Sequence, residues 1–528
     1  MMTGGLVLAA DTTKAEPVQA VAAATQTKAK MAQTTPAQQT YSLDLDTTKY
    51  EKKTMTVDGK KVAFRAYENR VYVAHPVDTT YQSINIYVPE GYFKGKTING
   101  YMAKTAPIFL PNTVGGYMPG APSQPSEKDR MTGGANAILI ALSKGYVVAA
   151  PGTRGRTTQA ADGTYTGKAP GLIVDMKAAV RYLRHNAGKL PGDTEKIISN
   201  GTSAGGALST LIGATGDSKD YESYLKALGA ADERDDIYAS SVYCPITDLD
   251  HADMAYEWMF NGVNTYHQGH IGAMKPPAGN SQAEPAGVVN NRPDNAPVEA
   301  AAETEITAVQ KQASKDLKAM YPTYINSLHL VDENGKALTL DENGKGSFAD
   351  YIKSIYMASA QKALDNGTDL SSKTWLTIKD GQVTDMDLAG YAVDVTRLKV
   401  APAFDAFDMS SAETEEFGTA TVDKQHFTIY GKDHSTVAGA ALADKDIVKT
   451  MNPLNYIGKS GVKTAHYWRI RHGEADRDTA IAVPAVLALR LQQAGYDVDF
   501  ASPWARGHVG DYDLDELFAW MDAIGHKN

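Results

Sequence analysis

Residues 195–214 read EKIISNGTSAGGALSTLIGA. The β-branched pair Ile197-Ile198 leads in and an Ala/Leu/Ile run follows, which predicts a strand, a sharp turn and a helix. At the turn stand Gly201-Thr202-Ser203-Ala204-Gly205, a G-x-S-x-G pattern. Short Gly/Ser strings arise by chance and also cap helices, so the strand-to-helix setting carries the meaning. In that setting a serine occupies a strained turn. Its hydroxyl stands above the sheet, with the N–H of Ala204 beside it at a helix N-terminus. Flanking glycines are needed because a Cβ would strike neighbouring backbone. Ser203 is therefore the candidate nucleophile and Ala204 a candidate oxyanion donor.

Upstream of this turn the same alternation repeats. INIYVPEGY (84–92), APIFLPNTVGG (106–116) and KGYVVAAPGTRGR (144–156) read as strands running into loops. GLIVDMKAAVRYLRHNAGKL (171–190) carries apolar residues at helical spacing. Alternation of this kind argues for a parallel sheet covered on both faces. The pattern changes after about residue 247. Gln282 to Ala302 is polar and proline-rich and reads as an exposed loop. DENGKALTLDENGK (332–345) carries two Asn-Gly turn signals and lacks the ligand spacing of a calcium loop. Strands and helices resume near Pro453. The expected organisation is an α/β-hydrolase fold over 41–246 and 453–528, with an inserted lid domain over 247–452.

A seryl hydroxyl is a weak nucleophile until a base takes its proton. In this fold class the acid and then the histidine come later in the chain, each after a strand. Arg471-His472-Gly473-Glu474-Ala475-Asp476 supplies an H-G-x-x-D loop after a buried strand, and Asp476 is the candidate acid. Of twelve histidines, His508 alone lies between the last strand and the last helix. It is the candidate base. His472 reads as loop packing, His185 ends a helix, His434 and His466 flank other elements, and His526 falls at a fraying terminus. A tetrahedral intermediate needs a second oxyanion donor. The Gly115-Gly116 pair after APIFL lets backbone approach a substrate closely.

The chain has 528 residues and a formal net charge of -10 with no basic stripe, which argues against nucleic acid as a partner. No apolar run reaches the roughly 18 residues needed to cross a bilayer, so no membrane partner is expected. The single cysteine, Cys244, excludes an intrachain disulfide and a cysteine-rich metal site. It reads as a buried small apolar residue with no activating partner nearby. GLVLAADTT (5–13) resembles the end of a signal peptide, and the stretch to about residue 40 has almost no large apolar residues. A disordered segment over 1–40 and an extracellular or cell-envelope location are expected, with the cytoplasm as the alternative. A monomer is favoured.

Several strings together resemble one family, the bacterial tannases (tannin acyl hydrolases). They are APIFLPNTVGGYMPG, YVVAAPGTRGRTT, IVDMKAAVRYLR, NGTSAGG, HADMAYEW (251–258), HYWRIRHGEADRDT (466–479) and GHVGDYDL (507–514). The resemblance runs from about Tyr41 to the C-terminus. It implies the triad Ser203, Asp476 and His508, with Gly116 and Ala204 at the oxyanion positions. It also implies galloyl-binding groups at Lys399, Glu413 and Asp478. The implied activity is hydrolysis of galloyl ester and depside bonds in hydrolysable tannins and simple gallate esters. A gallate ring has three adjacent hydroxyls, which two carboxylates and an ammonium can serve. No metal and no organic cofactor is expected, and the partner is a small-molecule galloyl ester. A feruloyl-type or other phenolic carboxylesterase is the alternative. A prolyl-type peptidase shares the H-G-x-x-D loop, but no propeller-like repeat precedes the catalytic half.

Overall fold

Strands built from β-branched and small apolar residues set the frame of the molecule. The computed structural model describes residues 39–129, 133–267 and 303–527. The expected disordered segment falls outside these residues but for Gln39 and Thr40, and the polar loop Gln282–Ala302 falls outside them entirely. In chain order the strands are β1 (Glu51–Val57), β2 (Lys60–Val71), β3 (Ser83–Pro89), β4 (Pro107–Pro111), β5 (Val147–Pro151), β6 (Asp193–Thr202), β7 (Ala239–Tyr243), β8 (Thr265–His267), β9 (Glu303–Glu305), β10 (Leu376–Lys379), β11 (Gln382–Met386), β12 (Tyr467–Arg471) and β13 (Asp497–Ala501).

Nine of them form one sheet in the order β1-β2-β3-β5-β4-β6-β7-β12-β13. β1, β2 and β3 pair antiparallel, and β3 pairs antiparallel with β5. From β5 to β13 every neighbour is parallel. Every residue of β4, β5 and β7 is buried, as strands covered on both faces must be. The chain steps from β4 to β5 on one side and then to β6 on the other. The reversal puts a crevice outside the carboxyl ends of β4 and β6, where an open α/β sheet binds its ligand.

The two Asn-Gly signals are turns. Gly335 and Gly344 take φ of 77° and 75°. Asp332 and Asp341 each accept two backbone N–H bonds at 2.9 Å, which close them. Residues 247–452 contribute helices Leu249–Phe260, Ala308–Ser327 and Ser347–Asp365, and the ribbons β8/β9 and β10/β11. Tyr321, Phe348 and Trp375 from this stretch join the same hydrophobic core as Phe109 and Trp468. Thr40–Asn528 accordingly forms one compact unit. No helix among the described residues is long and apolar enough to cross a membrane.

Candidate active site

β6 ends at Thr202 and a helix runs from Ala204 to Ala214, so Ser203 stands alone at the turn. Its φ of 61° and ψ of -126° lie where L-residues pay for strain. The turn is this tight because both glycines are needed. A Cβ on Gly201 would lie 2.2 Å from the Gly205 carbonyl oxygen, and one on Gly205 would lie 2.7 Å from the Val114 carbonyl oxygen. Gly201→Ala is expected to destabilise the fold by about 1–3 kcal/mol or more, read as a lowered denaturant midpoint.

The second contact also brings the loop after β4 against the helix N-terminus. Asn112 fixes it there, its Nδ2 donating to the Gly205 carbonyl and to Ser209 Oγ, both at 3.0 Å. Gly116 follows with φ of 52°. The first N–H groups of a helix have no partner within it, so Ala204 N–H is available beside Ser203. A residue without an assigned role in the sequence holds Gly116 in place. Arg156 donates through Nε to the Gly116 carbonyl at 2.7 Å and through its backbone N–H to the Tyr117 carbonyl at 2.9 Å. Its guanidinium also pairs with Glu415.

Asp476 and His508 follow the carboxyl ends of β12 and β13, and they meet. Asp476 Oδ2 accepts from His508 Nδ1 at 2.9 Å, while Asp476 Oδ1 accepts from the N–H groups of Asp478 at 2.9 Å and Thr479 at 3.3 Å. Burial opposes the charge on Asp476, but the charges of His508 and His472 and the hydrogen bonds from His508 and Cys244 outweigh it and hold the carboxyl well below its usual range. Burial likewise disfavours the His508 imidazolium, yet Asp476 and Asp478 raise its pKa well above that of a free histidine. Both carboxylates thus favour the form His508 takes when it holds a seryl proton.

The loop carrying His508 sits directly on the serine turn. A Cβ on Gly510 would fall 1.8 Å from Thr202 Oγ1. Ser203 N–H donates to the Tyr243 carbonyl at 3.0 Å, and the next residue, Cys244, turns its thiol to the carbonyls of Gly507 at 3.9 Å and Val509 at 3.6 Å. His508 Nε2 is buried and has no hydrogen-bond partner among the described residues, so the serine–histidine bond is not closed in this geometry. Such bonds commonly tighten only when substrate binds.

Lys399, Glu413 and Asp478 converge at the same place. Lys399 Nζ lies 3.0 Å from Asp478 Oδ1, and that oxygen lies 3.7 Å from His508 Nε2. Glu413 is buried on the short helix Ala412–Glu416. Burial pushes its pKa up against the pull of Lys399. Burial would lower the pKa of Lys399, but Asp478 and Glu413 outweigh it and keep the ammonium charged. The three glutamates of that helix have separate surroundings. Glu413 interacts with Lys399 and Asp478, Glu415 pairs with Arg156, and Glu416 is buried with neither carboxylate oxygen hydrogen-bonded.

HADMAYEW is the scaffold of this cluster. Tyr256 Oη accepts from the N–H groups of Leu398 and Lys399, both at 3.1 Å, and donates to the Arg477 carbonyl at 2.8 Å. One hydroxyl therefore ties the backbone of Lys399 to the residue before Asp478. Glu257 forms a fully buried ion pair with Arg397, whose Nε donates to the Lys399 carbonyl at 2.7 Å. Asp253 accepts from the N–H groups of Phe404 and Asp405.

Among the described residues the other histidines stand apart from the Asp476–His508 pair, except one. His526 is packed rather than frayed, its ring stacked 4.4 Å from that of Tyr101. His472 is the exception: it is buried, with Nδ1 3.6 Å from Asp476 Oδ2. Cys244 is buried as expected, but it has neighbours that its sequence context did not disclose. Its thiol, His472 and Asp476 could together hold a metal ion, as could Asp248, Asp250 and His251.

The chain resembles solved structures along most of its length. It is 46% identical to Fusobacterium nucleatum tannase, covering 92% of this chain and 100% of that one with a TM-score of 0.84. It is 44% identical to native tannin acyl hydrolase from Lactobacillus plantarum, over 92% and 99% of the two chains with a TM-score of 0.82. A tannin acyl hydrolase in complex with ethyl gallate is 43% identical over the same shares, also with a TM-score of 0.82. The family model described as BD-FAE matches residues 117–320. No curated protein matches. With identity of this order along nine-tenths of the chain, on a parallel sheet whose strand ends gather a serine turn and an aspartate–histidine pair, the chain belongs to the tannases, tannin acyl hydrolases of α/β-hydrolase fold and carboxylic ester hydrolases by reaction.

Proposed function

We propose that this chain, as a monomer, hydrolyses galloyl esters through Ser203, His508 and Asp476. His508 Nε2 takes the seryl proton as Ser203 Oγ bonds to the ester carbonyl carbon. The N–H groups of Ala204 and Gly116 receive the oxyanion. Collapse breaks the ester C–O bond, and the alcohol leaves with the proton from His508. Water, deprotonated by the same imidazole, then attacks the acyl-enzyme and releases gallate. Asp476 orients the ring and balances its charge throughout. No step calls on a metal or cofactor.

The observation that carries the galloyl reading is the buried set Lys399, Asp478 and Glu413 beside the Asp476–His508 pair. Two carboxylates accept from ring hydroxyls and the ammonium donates to one. A ring lacking those hydroxyls leaves buried charge unserved, which costs far more than a missing methylene. The ethyl gallate held by a relative agrees with this chemistry. Initial rates on methyl gallate, methyl protocatechuate and methyl ferulate test it. Gallate is expected to lead, and a preference for ferulate of about 10-fold or more would overturn the reading in favour of a feruloyl-type esterase.

Asp478→Asn is expected to lower kcat/KM for methyl gallate by about 10–100-fold more than for methyl benzoate. That is the value of a hydrogen bond to a charged group, about 1.5–3 kcal/mol. An unchanged ratio of the two substrates would remove Asp478 from the ring site. The ratio is the readout because Asp478 also lies near His508 and affects both esters alike through it.

A further inference from the structure

Beside the Asp476–His508 pair lie two side chains to which the hydrolytic mechanism gives no step. His472 is fully buried, and neither of its ring nitrogens has a hydrogen-bond partner among the described residues. An orphaned buried polar group is costly, and it calls for an explanation in a well-packed core. Cys244 is also fully buried and takes a φ of 45°, uncommon for any residue but glycine. Its thiol makes long contacts to the carbonyls of Gly507 and Val509 and adjoins Asp476 and His508.

We propose that Cys244 Sγ, a ring nitrogen of His472 and Asp476 Oδ2 form an inhibitory site for a soft divalent cation of the zinc class. The ligand atoms offered by the three residues all lie within 4.8 Å of one another, and His472 Nδ1 is 3.6 Å from Asp476 Oδ2. Tetrahedral bonds of about 2.0–2.3 Å place ligand atoms somewhat over 3 Å apart, so a small contraction closes the set. Thiolate, imidazole and carboxylate together suit zinc or cadmium better than magnesium or calcium. On binding, the S–H bond is replaced by a sulfur–metal bond and the proton leaves to solvent.

Inhibition follows from which oxygen is taken. Asp476 Oδ1 is held by the N–H groups of Asp478 and Thr479, so Oδ2 is the atom left for the cation, and it is the atom that orients His508. A metal there displaces the bond that sets the imidazole. The other candidate group differs. Asp248 is already bonded to His251, Asn452 and Tyr324, and Asp250 to Asn452, so no orphaned nitrogen or oxygen points to a ligand there.

The test uses the full chain and zinc chloride. Methyl gallate hydrolysis by the wild type is expected to fall over minutes of pre-incubation, because a site this buried fills only through local opening, and chelator is expected to restore it. Cys244→Ala, measured against its own zinc-free rate, is expected to need at least about 10-fold more zinc for half-inhibition, a loss of one strong ligand. Cadmium is expected to give the ultraviolet thiolate charge-transfer band on the wild type and on Ser203→Ala, and none on Cys244→Ala. Cys244→Ser serves the same purpose should the alanine variant fold poorly. Inhibition equal in wild type and the cysteine variants would overturn the proposal, as would the absence of a cadmium band on the wild type. The band does not depend on turnover, so it distinguishes failure of this site from failure of the galloyl reading.

Discussion

Ser203→Ala is expected to lower kcat for methyl gallate by about 10⁴–10⁶-fold with the fold intact. The change removes one oxygen from the turn between β6 and its helix. It leaves both flanking glycines, the Ser203 N–H bond to Tyr243 and the Asp476–His508 pair. No thermodynamic penalty comparable to the kinetic one arises, since alanine fits wherever serine does at this φ. A loss of that size corresponds to about 5–8 kcal/mol of transition-state stabilisation. Residual activity comes from the oxyanion donors and from ring binding alone. The measurement is burst-free steady-state kinetics alongside labelling by a fluorophosphonate. Activity within about 10-fold of wild type, or retained labelling, would show that another group is the nucleophile.

The second large effect is expected at Asp476→Asn, about 10⁴-fold in kcat. Its size follows from the two different jobs of the carboxylate oxygens. Oδ1 accepts two backbone N–H bonds, from Asp478 and Thr479, whereas Oδ2 accepts from His508 Nδ1. An amide in the same place must put its carbonyl oxygen on the two N–H groups, because its NH₂ cannot accept. The NH₂ is then forced toward His508. Nδ1 has to accept instead of donate, the ring proton moves to Nε2, and Nε2 can no longer take the seryl proton. A drop of less than about 10-fold would show that Asp476 does not set the tautomer of His508.

Where local chemistry decides structure, the residues announced it. The Ile197-Ile198 run, the G-x-S-x-G turn and the alanine-rich helix are each fixed by side chains a few residues apart, and the structure forms strand, turn and helix there. Family resemblance supplied Lys399, Glu413 and Asp478, and the first and last lie 3.0 Å apart though 79 positions separate them. Arg156 could not be read this way. It stands in a string that matched the family, but its bond to Gly116 spans 40 positions and leaves no trace in spacing. The scaffold role of Tyr256 was hidden for the same reason. A hydroxyl that takes two N–H bonds from one segment and gives one to another has no sequence signature.

Taken alone, the sequence determined the order of strands and helices and the order serine, aspartate, histidine, since periodicity and turn chemistry act between near neighbours. The tertiary structure decided which side chains share a space. Parallel pairing of β6, β7 and β12 sets their carboxyl ends side by side, and this lays Cys244 against the loop of His508 and leaves the His472 ring facing Asp476 with no hydrogen-bond partner among the described residues. Burial, through-space charge and unpaired nitrogens exist only once those strands are adjacent, because electrostatic and packing energies depend on distance in space and not along the chain.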